Sequence, residues 1–381
     1  MSRRPLLYEL VGAGMVSYAY LGRRTTVLGA ERLRLEPGVV LAPTHLSDED
    51  VPMLAATMYG PGRMWRDAEV TRPAFAVSND LLLRGYLAGY PRGLPAVLRR
   101  ALWPLGVGAV MQRWVRCLPV RFADRMRLVE ALRSRPDLEL TEALTPVRLE
   151  ALADRAAQLG HPRPRVARDV LSAGYADLLW QDVTRADLDG PAVEGVWEER
   201  LAASTVDVRA LIGHVRGGGA LVLFPHGTRS PDGAVGPVDP RVARLFHAAR
   251  PRAVQPIGIA HDPFGPGRAR AIVAIGESLD PPGRRGGERE LLAALRSTVP
   301  LTCGLVVAHA LASAAAPEPA VEQALERARR DGRPIEPALE RDRTRRARVR
   351  EATRAVERLG RAHPAVARAA LTYASMLEPV P

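Results

Sequence analysis

Residues 39–50 read VVLAPTHLSDED, a β-prone apolar run that passes directly into a polar loop. Two later stretches have the same arrangement, ALVLFPHGTRSPDG at 220–233 and AVQPIGIAHDPFGPG at 253–267. RAIVAIGES at 270–278 has the composition of a further strand. Short apolar runs bounded by Gly, Pro and polar residues are typical of buried strands. The sequence therefore predicts four short strands, three of which end in polar loops.

The segments between these strands carry helical patterns. In residues 145–160, Thr145 is placed as an N-cap, Pro146 at the first helical position and Gly160 as the stop. Apolar residues at helical spacing are Leu149, Leu152, Ala156 and Leu159 in this segment, and Val208, Leu211, Ile212 and Val215 in residues 205–219. Strands that alternate with helices predict an α/β fold with a mixed, largely parallel central sheet flanked by helices. Ligands of such sheets bind beyond the carboxyl ends of the strands, where the three polar loops are expected.

Composition narrows the class of protein. The chain has 381 residues, of which 47% are hydrophobic, enough for one large domain or two ordinary ones with a buried core. The formal net charge of +12 indicates an anionic partner, which can be a phosphorylated substrate, an acidic carrier, an anionic membrane or a nucleic acid. Cys117 and Cys303 form no CxxC or Cys/His spacing, so neither a disulfide nor a zinc site is predicted.

Both ends of the chain have a distinct composition. Residues 1–24 combine a basic start with an apolar run that is too short to span a bilayer, so we interpret them as an amphipathic membrane-surface segment. The expected location is the cytoplasm, at the inner face of the cell membrane. In residues 318–366, Arg and Glu alternate, which is typical of salt-bridged surface helices. Nucleic-acid binding is the alternative, but no aromatic-rich recognition motif accompanies these residues.

Two interpretations of THLSDED at 44–50 are compatible. Ser47 followed three residues later by Asp50 matches a capping box, and the acidic residues suit the positive end of a helix through VPMLAATMY. If His45 lies on the loop before this cap, Asp50 can fold back and accept a hydrogen bond from one imidazole nitrogen. The other nitrogen would then be available to take a proton from a hydroxyl group. His45 and Asp50 are therefore candidate catalytic residues.

The loop in residues 220–233 contains a candidate anion site. Gly227 permits close approach of the backbone, and Thr228, Arg229 and Ser230 follow it at a strand end, where they suit phosphate oxygens. A Pro/Gly turn with an exposed arginine is the plainer interpretation of this stretch taken alone. Six other histidines have no partner at an informative spacing and are predicted to be surface or satisfied core residues: His161, His214, His247, His261, His309 and His363.

Taken together, THLSDED and FPHGTRS resemble the Asn-His-x-Ser-x-x-Asp and Phe-Pro-Glu-Gly-Thr-Arg-Ser motifs of the lysophosphatidic acid and glycerol-3-phosphate acyltransferases. RTTVLGAERLRLEPGVVLAPTHLS is similar to the lead-in strand of that family. CLPVRF at 117–122 is similar to a segment that ends in a substrate-binding arginine, and VQPIGIA to a fourth, Val-Pro-Val-type motif. The resemblance covers roughly residues 25–280 and is most specific in the first and third motifs taken jointly.

The resemblance implies an O-acyltransferase that uses no metal and no cofactor other than its acyl donor. His45 would be the general base and Asp50 its orienting partner, so that an acceptor hydroxyl attacks the thioester of acyl-CoA or acyl carrier protein. The residues implied to hold the acceptor are Arg229, Gly227, Thr228, His226, Ser230 and Arg121. The implied partners are the acyl thioester donor, a glycerol-phosphate or lysophospholipid acceptor and an anionic membrane surface, with no nucleic acid.

The sequence departs from the family pattern at two motif positions. Thr44 stands where the family has asparagine, and its hydroxyl can still form hydrogen bonds. His226 replaces a glutamate, so that an acceptor-only carboxylate becomes an imidazole that can donate or carry positive charge. This leaves open a different acceptor, and also a non-catalytic lipid- or carrier-binding protein of the same fold. The long separation of the second and third motifs predicts a helical insertion at about 137–216 within an acyltransferase domain at 25–300, followed by a helical extension at 301–381.

Overall fold

The computed structural model describes residues 6–47, 49–60, 71–89, 94–188, 190–227, 230, 232–265, 267–281, 283 and 286–378, with the side chains of residues 191 and 192 left out. The chain divides into two compact units, one formed by Met1–Ala74 with Ile212–Pro381 and the other by Phe75–Leu211. The domain limits expected from the sequence stay predictions.

The described strands are short, apart from the eighth. They are β1 (Arg24–Leu28), β2 (Val39–Pro43), β3 (Ala74–Ser78), β4 (Cys117–Val120), β5 (Met126–Arg127), β6 (Asp182–Val183), β7 (Leu221–Val222), β8 (Ala253–Asp262) and β9 (Arg270–Ile275). All four strands predicted from the apolar runs are present, as β2, β7, β8 and β9.

Sixteen α-helices are described, and the longest of them is α10. They are α1 (Leu6–Ser17), α2 (Asp50–Tyr59), α3 (Tyr86–Gly89), α4 (Ala96–Leu102), α5 (Gly108–Trp114), α6 (Leu128–Arg133), α7 (Pro146–Gln158), α8 (Ala167–Val170), α9 (Ala176–Leu179), α10 (Pro191–Arg216), α11 (Pro240–Ala249), α12 (Gly287–Thr298), α13 (Cys303–Ala312), α14 (Pro317–Arg330), α15 (Asp342–Leu359) and α16 (Pro364–Leu377). A π-helical turn at Tyr18–Gly22 follows α1.

The sheet of the first unit is mixed and largely parallel. Its strands follow the order β1-β9-β8-β2-β7, and β8 with β9 is the antiparallel pairing among them. β2 is completely buried along its length, which is why it reads as a continuous apolar run rather than an alternating one. Helix α2 packs against β1 and β9, and α12 and α13 pack against β8. The predicted α/β fold class is therefore confirmed.

The predicted helices are present with one correction to a buried face. α7 begins at Pro146 after Thr145, and Gly160 follows its end with a positive φ of 69°, as predicted. The predicted helix in residues 205–219 belongs to the longer α10, in which Leu211 and Val215 are buried but Val208 is exposed. The buried residues of this helix are spaced four apart, at Asp207, Leu211 and Val215. Asp207 is buried in place of Val208 because it forms an ion pair with Arg121.

The second unit has its own core. β3 and β4 pair in parallel, and β5 and β6 pair in antiparallel. A buried apolar cluster spans α6 to α10 and contains Trp197 and Tyr175, both almost fully inaccessible. Cys117 is a buried free thiol here, and Cys303 is one in the first unit.

A buried ionic cluster ties β8 to the C-terminal helices within the first unit. The Arg348 guanidinium on α15 donates to Asp262 Oδ2 at 2.5 Å and to Glu336 Oε1 at 3.0 Å. Asp262 also accepts the backbone N–H of Gly304 at 2.9 Å, and Glu336 accepts that of Cys303 at 2.8 Å. All three charged side chains are at most 3% exposed. Most arginines of the predicted surface helices are solvated, but Arg348 is buried and binds two buried carboxylates.

We expect Arg348→Ala to lower the free energy of unfolding by about 3–5 kcal/mol, because it leaves the buried Asp262 without a cation and Glu336 with Arg270 alone. Arg346→Ala, on the exposed face of the same helix, should change it by less than about 0.5 kcal/mol. Urea unfolding of both variants measures the difference. Equal midpoints for the two would show that the cluster does not stabilise the fold.

Candidate active site

The carboxyl ends of three parallel strands bring the candidate loops to one edge of the first unit. β2 pairs in parallel with both β7 and β8, so the loops that follow them leave the sheet on the same side. β8 continues beyond Ile257, which pairs with the last residue of β2. Thr44, the residue after β2, forms further hydrogen bonds with β8. The Thr44 N–H donates to Ile257 O at 2.9 Å, and its buried hydroxyl accepts the Ile259 N–H at 2.9 Å. The end of β8 therefore runs beside the THLSDED loop.

His45 and Asp50 are joined as the sequence suggested. His45 Nδ1 lies 3.1 Å from Asp50 Oδ2. The imidazole is 17% exposed, whereas the Asp50 side chain is completely buried. A carboxylate in this position makes Nδ1 the protonated nitrogen and leaves Nε2 with its lone pair. No described residue forms a hydrogen bond with Nε2, so this nitrogen can take a proton from a bound hydroxyl group.

The helix start differs in detail from the predicted capping box. α2 begins at Asp50, and Glu49 rather than Ser47 is the N-cap. Asp50 Oδ2 accepts the backbone N–H groups of Leu46 at 2.6 Å and Ser47 at 2.8 Å, whereas Ser47 Oγ accepts from Glu49 N at 3.3 Å. The reason is that Asp50 folds back over the loop, so its carboxylate replaces the Ser47 hydroxyl as the principal acceptor. This contact curves the loop and directs His45 toward the carboxylate.

Opposing effects act on the protonation of Asp50. Burial alone would raise its pKa, but hydrogen bonds from His261 and His45, with that from the Ser47 backbone, outweigh burial and lower the pKa below its ordinary value. Asp50 is therefore ionised at neutral pH. An ionised carboxylate stabilises the cation that His45 becomes when it takes up a proton.

The FPHGTRS loop meets the His45 loop directly. The Phe224 ring stacks on the His45 imidazole, with centroids 4.2 Å apart and planes 27° apart. The Ser230 N–H donates to the backbone carbonyl of His45 at 3.0 Å. The structure thus brings the first and third sequence motifs together, although about 180 residues separate them in the chain.

The candidate anion-binding residues are placed only in part. Thr228 and Arg229 lie outside the described residues. Gly227 has a φ of 70°, the left-handed conformation that glycine adopts most easily, and this explains a glycine at the turn. The Ser230 hydroxyl donates to Asp232 Oδ1 at 2.7 Å and accepts the Gly233 N–H at 2.9 Å. In this arrangement the hydroxyl stabilises the loop.

His226 differs from the expectation of a cationic phosphate ligand. Its Nδ1 donates to Pro237 O at 3.1 Å, and its Nε2 is buried with no hydrogen-bond partner among the described residues. Burial lowers the pKa of His226, so the neutral ring is favoured at pH 7. A neutral imidazole offers Nε2 as an acceptor, which suits a hydroxyl or amide donor better than a phosphate oxygen.

Arg121 belongs to the second unit and has partners there. Its guanidinium donates to Asp207 Oδ1 at 2.7 Å, and its backbone N–H donates to Asp207 Oδ2 at 3.0 Å. Ser204 Oγ donates to the Arg121 carbonyl at 2.7 Å. Arg121 therefore stabilises the junction of β4 and α10, and its role toward a substrate stays a prediction.

His261 is the residue of this site that sequence reasoning missed. It was predicted to be a surface or satisfied core histidine, but its Nε2 lies 2.6 Å from Asp50 Oδ1. Its Nδ1 faces the Glu49 carboxylate at 3.8 Å. Spacing could not reveal this contact, because 211 residues separate His261 from Asp50. The available signal was a histidine at the carboxyl end of a buried strand.

The two imidazoles and the carboxylate form a hydrogen-bonded chain. His45 and His261 each direct one nitrogen at a different oxygen of Asp50. Within the described ranges, no three His, Cys, Asp or Glu residues are arranged to hold a metal ion. Because each imidazole directs a nitrogen at a carboxylate oxygen, these side chains can hold and move protons.

Comparisons with known proteins find a likeness in structure but not in sequence family. No family model matches this chain, and no curated protein matches it. Among solved structures, the chain is similar to the crystal structure of the 1-acyl-sn-glycerophosphate (LPA) acyltransferase PlsC from Thermotoga maritima. The similarity covers 77% of this chain and 82% of that chain, with a TM-score of 0.37 and 15% sequence identity. At this level the likeness carries no conclusion about function, which must come from the site.

Proposed function

We propose that this protein is an O-acyltransferase that moves a fatty acyl group from an acyl thioester to a hydroxyl group of a glycerol-phosphate or lysophospholipid acceptor. The single observation that carries the proposal is the His45–Asp50 pair. A partly exposed imidazole is bonded through Nδ1 to a buried carboxylate, and no described residue bonds its Nε2. The motif resemblance of THLSDED and FPHGTRS supports acyl transfer as the chemistry.

In the proposed reaction, His45 Nε2 takes the proton of the acceptor hydroxyl as its oxygen bonds to the thioester carbonyl carbon. Asp50 stabilises the resulting imidazolium. The tetrahedral intermediate then collapses, the carbon–sulfur bond breaks, and the departing thiolate receives the proton from His45. Proton transfer by a positioned base contributes about 10²–10⁴-fold to such a rate. Holding donor and acceptor beside this base raises the rate further, because the reacting groups no longer have to meet by diffusion.

The FPHGTRS loop is the proposed site for the polar part of the acceptor. Its backbone is bonded to that of the His45 loop through Ser230. An acceptor held there would have its hydroxyl close to the imidazole. Arg229 is the proposed phosphate ligand on the strength of the motif, because a guanidinium can bind two phosphate oxygens at once.

We expect wild-type protein to release thiol from acyl-CoA or acyl carrier protein only when a suitable lipid acceptor is present. A panel of lysophospholipids, glycerol 3-phosphate and neutral glycerolipids identifies the acceptor. Arg229→Ala should raise the KM of a phosphorylated acceptor by about ten-fold or more, with less effect on the KM of the thioester. Arg350→Ala, an exposed arginine on α15, is the control. An unchanged acceptor KM in Arg229→Ala would remove the phosphate role.

The neutral His226 favours a second candidate function. A binding protein that keeps this site without turnover would retain lipid affinity while showing no thiol release with any pairing of donor and acceptor. The same panel separates the two, since lipid binding by calorimetry without release of thiol would replace the catalytic proposal with the binding one.

Helix α1 supports the proposed association with an anionic membrane surface. One side of α1 is buried, where Tyr8 donates to Pro73 O and Gly12 lies against the Tyr59 ring. Leu6 and Leu10, one helical turn apart, are exposed, as is Leu21 in the π-helical turn. Among the described helices, none is long and apolar enough to cross a membrane. Exposed leucines suit a lipid surface, and Arg24, which follows Leu21 in the sequence, suits an anionic one.

We expect the double variant Leu6→Glu with Leu10→Glu to bind phosphatidylglycerol-containing vesicles at least about ten-fold more weakly, since it removes apolar burial and adds like charge. Leu359→Glu with Leu371→Glu, at exposed leucines of α15 and α16, is the matched control. Vesicle sedimentation measures both. Unchanged binding of the α1 variant would exclude this helix as the membrane contact.

A further inference from the structure

Two histidines share one buried carboxylate in this site. Asp50 Oδ2 accepts three hydrogen bonds, from His45 Nδ1 and the backbone N–H groups of Leu46 and Ser47. Asp50 Oδ1 accepts from His261 Nε2 at 2.6 Å, and no other described group bonds this oxygen. Without His261, a fully buried carboxylate oxygen would lose its described donor. Such a loss is costly in a dry environment.

His261 is held rigidly in place. It lies in β8 and pairs across the sheet with Ala271 of β9. The next residue, Asp262, points to the other face of the strand and is fixed by Arg348 and by the Gly304 N–H. A side chain on a strand that is held by these contacts is positioned more precisely than a side chain on a loop.

The acidic neighbour of His261 is itself fixed. Glu49 Oε2 lies 3.8 Å from His261 Nδ1. Glu49 forms an ion pair with Arg23 and accepts the Tyr18 hydroxyl at 3.1 Å. The imidazole therefore lies between two carboxylates, one at each ring nitrogen, and the short contact is the one to Asp50. This arrangement fixes the ring orientation with Nε2–H directed at Asp50 Oδ1.

We propose that His261 is a positioning residue. It holds the Asp50 carboxylate in the orientation that accepts the hydrogen bond of His45 Nδ1 and stabilises the protonated His45 ring. The proposal rests on the proposed function, in which His45 is the base. In this role His261 acts on Asp50 rather than on a substrate, by limiting the rotation of the carboxylate about its terminal bond. Without the hydrogen bond from His261, only the donors to Oδ2 would hold the carboxylate, so its tilt toward His45 Nδ1 would vary and the imidazolium would lose part of its stabilisation.

Two amide variants test this role, because their side-chain nitrogens lie at different distances from Asp50 Oδ1. His261→Gln and His261→Asn differ by one methylene group. The glutamine amide nitrogen can occupy the position of Nε2, whereas that of asparagine ends near the position of Nδ1. We expect His261→Asn to lower kcat by about 10- to 100-fold, the value of a hydrogen bond to a charged group, with the KM of both substrates nearly unchanged. His261→Gln should recover most of that loss. His247→Gln, at an exposed histidine of α11, is the control for a histidine substitution.

A spectroscopic measurement tests the role without turnover. The proton between His45 Nδ1 and Asp50 should give a downfield proton resonance, assigned by its absence in His45→Ala. We expect this resonance to persist in His261→Gln and to shift upfield or broaden in His261→Asn. The asparagine variant should stay folded but melt at a lower temperature, because it leaves Asp50 Oδ1 without its described donor. If wild type shows no acyl transfer with any acceptor, the proposed function fails, but this resonance still reports on positioning.

Two results would overturn the proposal. Equal kcat values for the Gln and Asn variants would show that the reach of the donor does not matter. A resonance that is identical in wild type and a folded His261→Asn would show that Asp50 keeps its orientation without His261.

Discussion

His45→Ala should lower thioester-dependent acyl transfer by about 10²–10⁴-fold, because it removes the group that takes the proton of the acceptor hydroxyl. The fold should persist. The imidazole is partly exposed, and the loop stays anchored by the backbone contacts of Asp50 with Leu46 and Ser47. Steady-state kinetics with the acceptor identified in the panel measures the loss, and it should fall mainly on kcat.

His247→Ala is the matched control, since this histidine is exposed on α11 of the same unit. It should retain wild-type kinetics. Full turnover in a purified, folded His45→Ala would rule out the general-base role. Restoration of turnover by added imidazole would support that role, because a small base can then occupy the vacated position.

Asp50→Asn should have the second-largest effect and should act on both activity and stability. Four donors converge on Asp50: His45 Nδ1, His261 Nε2 and the backbone N–H groups of Leu46 and Ser47. Asparagine offers one oxygen and turns a donor toward the others, so we expect the free energy of unfolding to fall by about 1–3 kcal/mol. Activity should fall by about 10²-fold or more, because His45 loses the charge that stabilises its protonated form.

The stability effect of Asp50→Asn should depend on pH in a defined direction. The folded pKa of Asp50 is lowered, so its contribution is complete above the unfolded pKa of about 4 and is lost as the pH falls through the folded value. The difference between wild type and Asp50→Asn, measured by urea unfolding, should therefore be largest above about pH 4 and shrink below it. Asp331→Asn, an exposed carboxylate at the end of α14, should show no such dependence. A difference that stays constant down to pH 2 would contradict an ionised, hydrogen-bonded Asp50.

Local patterns predicted much of the fold. The runs at 39–43, 221–222, 253–262 and 270–275 are strands, because continuous apolar residues suit strands that are buried on both faces. Their parallel pairing brings the following loops to one edge, as expected for an α/β sheet. The contact of His45 with Asp50 was also accessible from sequence, since a loop-to-helix break within five residues leaves few geometries for the pair.

Contacts between distant segments could not be read in the same way. The exposure of Val208 follows from Asp207, whose burial depends on Arg121, 86 residues earlier. The neutral state of His226 depends on burial by its surroundings, which no local pattern records. Periodicity reports which face of a helix is apolar, but it does not show that a charged residue on that helix has a partner elsewhere in the chain.

The sequence by itself predicted four strands, the loops at their carboxyl ends and a geometry in which Asp50 can reach His45, because each depends on residues only a few positions apart. Only the tertiary structure decided that His261 completes the site, and that Arg348 is a buried centre rather than a surface charge. Both depend on the register of β8 in the sheet, which carries His261 past the end of β2 to Asp50 and turns Asp262 toward α15. Register is fixed by the packing of the whole sheet, and a single segment does not contain that information.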